Sequence, residues 1–191
     1  VGLDKPNIGL LSEEFLEDVK NMKEKNLAVE LLEKLLRDEV KARMKNDVVQ
    51  EKKYSDRILS TLQKYHNRNI ETAQVIEELI QWAKEMLADA DMMDKLNLST
   101  DEMAFYRALV INEASVRVLG DDNLRQLAIE LTNQLRKSAT VDWQKRESVR
   151  ARMRNLVRRL LKRWGYPPEQ SDGAIKLVLE QAEVLADGWY N

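Results

Sequence analysis

Apolar side chains return every three or four residues along most of the chain, and that period predicts helices. Residues 1–11, punctuated by Pro6 and Gly9, read as irregular. Ser12 is placed to cap a short helix reaching about Met22, with Glu13 and Glu14 where the helix dipole favours acid. Asn26 is the expected cap of a second helix, whose Leu31, Leu32, Leu35, Leu36 and Val40 form a buried face. Residues 46–69 follow as a helical stretch with Ile58, Leu62 and Tyr65 as its stripe and a break near Asn46 or Ser55. The clearest amphipathic pattern comes next, in Ile76, Leu79, Ile80, Ala83, Met86 and Leu87. The acid-dotted "ADADMMDKLN", residues 88–97, reads as a linker.

Beyond it, Ser99 and Glu102 have the S-x-x-E spacing of a capping box ahead of "MAFYRALV". A turn at Gly120 and Asp121 leads into a helix with Leu124, Leu127, Ala128, Leu131 and Leu135 on one side. Asp142 is placed to cap the helix after that, which Gly165 should end, because Pro167 and Pro168 cannot continue it. Pro168 suits the first turn of a last helix. No stretch alternates with period two for long. The expected fold is therefore all-α, a multi-helix bundle of roughly seven to nine helices with no sheet. The linker divides the expectation into a helical layer, 1–95, and a helical bundle, 96–191. One continuous domain is the alternative reading.

Composition agrees with long helices. Only 6 Gly and 3 Pro are present, too few for a strand-and-turn fold or for Gly-rich phosphate loops. The absence of cysteine excludes disulfides, thiolate metal sites and Cys nucleophiles, and it suits a reducing, cytoplasmic setting. No apolar run approaches the roughly 18–20 residues that span a bilayer, and no signal peptide is apparent, so no membrane partner is expected. The chain opens at Val1, not Met, and reads as a piece of something longer.

Candidate chemistry is sparse. Neither G-x-x-x-x-G-K-[ST] nor G-x-G-x-x-G occurs. The single histidine, His66, reads as a helix-surface hydrogen bonder, since a His-based triad or zinc site needs partners that the chain does not supply. Asp89, Asp91 and Asp94 lack the glycine turn and distal glutamate of a calcium loop and read as solvated linker acids. Asp18-x-Lys20 only faintly echoes a nuclease motif. No metal, cofactor or catalytic residue is expected in this chain.

Charge is the one strong signal. The net charge is −2, yet "KRESVRARMRNLVRRLLKRW", residues 145–164, holds nine basic residues and one acid. On a helical wheel Val149, Met153, Leu156, Val157, Leu160, Leu161 and Trp164 share an arc of about 140° that should face a core. Arg152, Arg158, Arg159, Lys162 and Arg163 fall opposite, with Lys145 nearby and Arg154 at the edge. Arg146 and Arg150 lean over the apolar arc and are expected to form structural ion pairs with acids the sequence does not identify. The outward cations repel one another and gain most from an anion, whether nucleic-acid phosphate, an acidic partner or the chain's own acidic helices; a merely solvated face is the plain alternative.

Five stretches in order resemble one family: "NLAVELLEKLL", "YHNRNIETAQVIEELI", "LSTDEMAFYRAL", "VLGDDNLRQLAIEL" and "TVDWQKRESVRARMRNLVRRLLKRWGYPPEQSDGAIKLVLEQAE". The most specific features are the W-x-x-R-E-S-V-R-A-x-M-R core that starts at Trp143 and the K-R-W-G-Y-P-P run that follows. Together they resemble the C-terminal helical domain of the motor and endonuclease (R) subunit of type I restriction enzymes. The resemblance implies a larger subunit with a nuclease domain and two helicase-like domains that use ATP and magnesium to translocate DNA. It implies that this region, without catalysis of its own, docks the subunit on the methyltransferase and specificity core. No catalytic residue carries over. Contact with the duplex backbone through residues 145–164, a self-standing nucleic-acid-binding module, and a basic helix neutralised entirely by the chain's own acids remain as competing readings.

Overall fold

The computed structural model describes residues 11–140 and 145–189. Among them the chain is helical throughout: α1 (Glu13–Lys20), α2 (Lys25–Arg43), α3 (Val48–His66), α4 (Thr72–Leu96), α5 (Thr100–Val110), α6 (Glu113–Leu119), α7 (Asp121–Ser138), α8 (Glu147–Arg163) and α9 (Pro168–Trp189). No strand occurs among the described residues, so the all-α expectation holds. The described residues form two compact units, one within 11–45 and 50–92 and one within 46–49, 93–140 and 145–189.

In the first unit the apolar stripes of α1 to α4 meet in one core. Leu16, Val19, Leu32, Leu36, Tyr54, Ile58, Val75, Ile76, Leu79 and Ala83 are all buried there. Ser12 caps α1 by accepting from the Phe15 amide at 3.2 Å. Asn26 does not cap α2. That helix starts at Lys25, after Glu24, and the Asn26 side-chain oxygen instead accepts from the Tyr65 hydroxyl at 2.9 Å. The chain turns between α2 and α3 around Asn46, and α3 then runs unbroken through Ser55.

The linker expected at 88–97 is a helix. α4 continues to Leu96 and stops at Asn97, whose φ of +52° is the left-handed conformation Asn tolerates at a helix end. The reason lies in the residues: Ala, Met, Leu and Lys there are good helix formers, and Asp89 has partners on α3. The three aspartates made a helix look like a loop.

In the second unit α5 is central. Met103, Ala104, Phe105, Tyr106, Ala108 and Leu109 are buried on nearly every side of it, as a helix apolar all round requires. It packs on α7 and α9, and α8 packs on both of those. The Ser99–Glu102 capping box forms in both directions, at 3.3 and 2.8 Å. Residues 46–49 belong to this unit through polar contacts. Buried Gln181 donates to the Asn46 carbonyl at 2.6 Å and accepts from the Val48 amide at 2.9 Å, and Arg107 pairs with buried Asp47.

Candidate functional site

Helix α8 is built to expose charge. Met153, Val157, Leu160 and Leu161 are buried, and Val149, Leu156 and Trp164 pack beside them against the second core. The helix ends where Gly165 adopts φ +74°. The Gly165 amide bonds the Lys162 carbonyl at 3.1 Å and the Tyr166 amide bonds the Leu161 carbonyl at 2.9 Å, the paired closure that a glycine one residue past the helix allows. At the other end Arg146 stands in the N-cap position, extended and without a side-chain cap bond. Asp142, the expected cap, lies outside the described residues, as does Trp143 of the family-like motif.

The structure divides the cations of this helix into three sets. One faces α9: Arg150 pairs with Glu183 at 2.8 Å, and Arg158 reaches Asp172 only loosely, at 3.8 Å. Asp172 is 95% exposed, so this second pair is worth little in water. Arg154 borders the same α8–α9 groove, with Asp172, Glu180 and Glu183 across it. A second set faces α7, where Glu130 accepts from both Arg163 and the Trp164 indole, the latter at 2.8 Å. The third faces neither neighbour. Arg152, Arg159 and Lys162 are exposed and make no ion pair with the described residues. Lys145, just before the helix, is exposed as well, and so is Arg146. Arg150, one of the two arginines expected to be structural, finds its acid in Glu183, and Arg146 is engaged as well.

Two residues on the outward face, Ser148 of the family-like core and Asn155, carry no charge. Ser148 and Asn155 line a shallow recess with Ala151, Arg152, Arg158 and Arg159. The signal was available, because Ser148, Arg152, Asn155, Arg159 and Lys162 follow the same alternating four-and-three spacing as a buried stripe. They lie within about 80° of one another on an ideal helix.

The first unit handles charge differently. Going down α3, Lys53, Arg57 and Lys64 are each opposite an acid going up α4: Asp89 at 2.9 Å, Glu85, and Glu78 at 3.6 Å. Steps of four and seven residues on one helix match the same steps on the other, as antiparallel helices in register demand. Asp89 also accepts from Tyr54 at 2.6 Å and Gln50 at 3.2 Å. Burial pushes the Asp89 carboxyl up, but the bonds from Tyr54, Lys53 and Gln50 outweigh it and hold the group below the usual carboxylate range. Burial, with the Asp89 hydrogen bond and charge behind it, raises the Tyr54 hydroxyl far above its ordinary value, so it stays a neutral donor. Thr61, fully buried, accepts from Trp82 at 3.1 Å and donates to Glu78 at 2.8 Å. This is an adhesive seam between two helices. His66 lies exposed at the end of α3 beside the Tyr65 ring.

Residues 1–188 match the family described as type I restriction enzyme HindI endonuclease subunit-like, C-terminal. The chain belongs to this family. It is 41% identical over 182 residues, 95% of its length, to the type I restriction enzyme HindI endonuclease subunit of Haemophilus influenzae, of which it covers 17%. It is 28% identical over 163 residues, 85% of its length, to a relative in Methanocaldococcus jannaschii provisionally named a type I restriction enzyme MjaIXP endonuclease subunit, of which it covers 16%. The chain thus spans about a sixth of the length of these relatives. No solved structure matches it significantly. No helix among the described residues is long and apolar enough to cross a membrane.

Proposed function

We propose that this chain is the assembly region of a type I restriction endonuclease subunit, docking that subunit on the methyltransferase and specificity core inside the cell and turning α8 toward an anionic surface. One observation carries the reading: the family match runs through nearly the whole chain and is to the C-terminal part of such a subunit. The ATP, magnesium, nuclease and translocation chemistry belongs in this reading to the rest of the subunit, and this region works without a cofactor. The test is sedimentation of the chain with its cognate methyltransferase core. Co-sedimentation at micromolar concentration is expected. Two separate species at that concentration, or nuclease or ATPase turnover by the purified chain, would overturn the reading.

A second reading is favoured by Arg152, Arg159 and Lys162 of α8, which pair with no acid among the described residues. In it the chain is a self-standing nucleic-acid-binding module and binds a duplex with no partner present. It separates from the first by whether the methyltransferase core is captured at all.

A further inference from the structure

We propose that the outward stripe of α8, made of Ser148, Arg152, Asn155, Arg159 and Lys162, is a binding strip for the phosphodiester backbone of a nucleic-acid duplex and reads no bases. This deepens, and rests on, the proposal that α8 faces an anion: it identifies the anion and the residues that meet it.

Three observations point to phosphate. First, internal acids withdraw Arg150 and Arg163 from the outer face and loosely engage Arg158. Arg152, Arg159 and Lys162 are left without such acids among the described residues, on one line that spans roughly 15 Å of helix. Like charges on one line repel, and a duplex, with a negative charge per roughly 1.7 Å of axis, offers counter-charge along the whole of it. Second, the neutral members of the stripe are Ser and Asn, which with Arg and Lys are the side chains that commonly hold phosphate oxygens. Third, the stripe has no anchor for a protein partner. Protein interfaces centre on buried aromatic or large apolar side chains, and the exposed large apolar residues among those described are Leu27, Leu59, Met92, Ile111, Val118 and Val184, none of them on α8. Base reading would need side chains that probe a groove deeply, whereas a row of cations along the flank of a packed helix tracks a backbone.

The test uses fluorescence anisotropy of the 191-residue chain with a random-sequence duplex of ~30 base pairs. Three phosphate contacts predict that affinity falls about 40-fold between about 50 and 200 mM salt. With Arg152→Gln and Arg159→Gln together, one contact remains and the fall should shrink to about 3- to 4-fold. Arg150→Gln, whose cation is engaged by Glu183, should leave affinity within about twofold. A second duplex of unrelated sequence should bind equally well. Unchanged binding by the Arg152→Gln/Arg159→Gln variant, or strong preference for one sequence, overturns the proposal. The same variant is then tested for capture of the methyltransferase core. Retained capture is expected. Lost capture with no duplex binding by the unaltered chain would assign the stripe to an acidic protein and overturn the proposal. If the unaltered chain binds duplex as predicted but captures no core, the assembly reading alone falls.

Discussion

Helices α3 and α8 are both rich in cations, and they use them in opposite ways. On α3, Lys53, Arg57 and Lys64 are answered by acids of α4 in matching antiparallel register. On α8, neighbouring helices supply Glu183, Asp172 and Glu130, and the face between those contacts receives no acid from the described residues. The number of positive charges on a helix therefore says little about its role. What decides is whether the neighbouring helix carries acids at the same intervals. Where it does, charge becomes adhesive. Where it does not, charge is left for a ligand.

The largest effect should come from breaking the seam of α3 and α4. Asp89→Ala leaves the Tyr54 hydroxyl, the Lys53 ammonium and the Gln50 amide without their shared acceptor, and should cost about 2–4 kcal/mol in denaturant unfolding of the first unit. Tyr54→Phe removes one donor and leaves the carboxylate served by the other two, so about 1–2 kcal/mol is expected from the same experiment. Acid should act in the same direction. The folded Asp89 carboxyl lies below its ordinary value of 3.8. Its contribution is thus fully present above that value and drains away as pH falls through the lower, folded value. Asp89→Asn should flatten the acid limb of a stability–pH curve and leave the slope above about pH 5 unchanged. The smallest effect on stability should come from the other side of the comparison. Arg152→Gln/Arg159→Gln should change the unfolding free energy of the second unit by less than about 0.5 kcal/mol. A large loss there would mean these cations hold the fold after all, and the contrast with α3 would collapse.

Much of the fold was readable because its signals are local. The Ser99 capping box, the stop at Gly165 and the restart at Pro168 each need only a few adjacent residues, and each stands where the spacing put it. Most of the buried stripes were equally visible. Short-range signals also misled. Asp89 suggested solvent because its partners on α3 lie 35 or more residues away in sequence, whereas Asp91 and Asp94 are indeed exposed. Asn26 looked like a cap because nothing nearby revealed that Tyr65 would engage it. Helix α6 went unnoticed, since seven residues are too few to show a stripe. For the candidate site, the wheel separated inward from outward on α8. Dividing the outward cations into engaged and unengaged required Glu130 and Glu183, which only packing brings to them.

The clasp of Gln181 on Asn46 and Val48 turns a contact in space into an order in time. Its two halves are more than 130 residues apart in sequence. The first unit is complete in sequence once residue 92 has been made, but the turn at 46–49 must wait for Gln181. At the pace of synthesis, roughly 5–20 residues per second, that wait lasts on the order of 5–20 seconds. Through that interval the backbone groups of Asn46 and Val48 have only water to satisfy them. A chain stalled before α9 would hold a finished first unit beside a second that lacks its closing helix, and proteolysis of ribosome-bound chains would find its cut sites in residues 93–167.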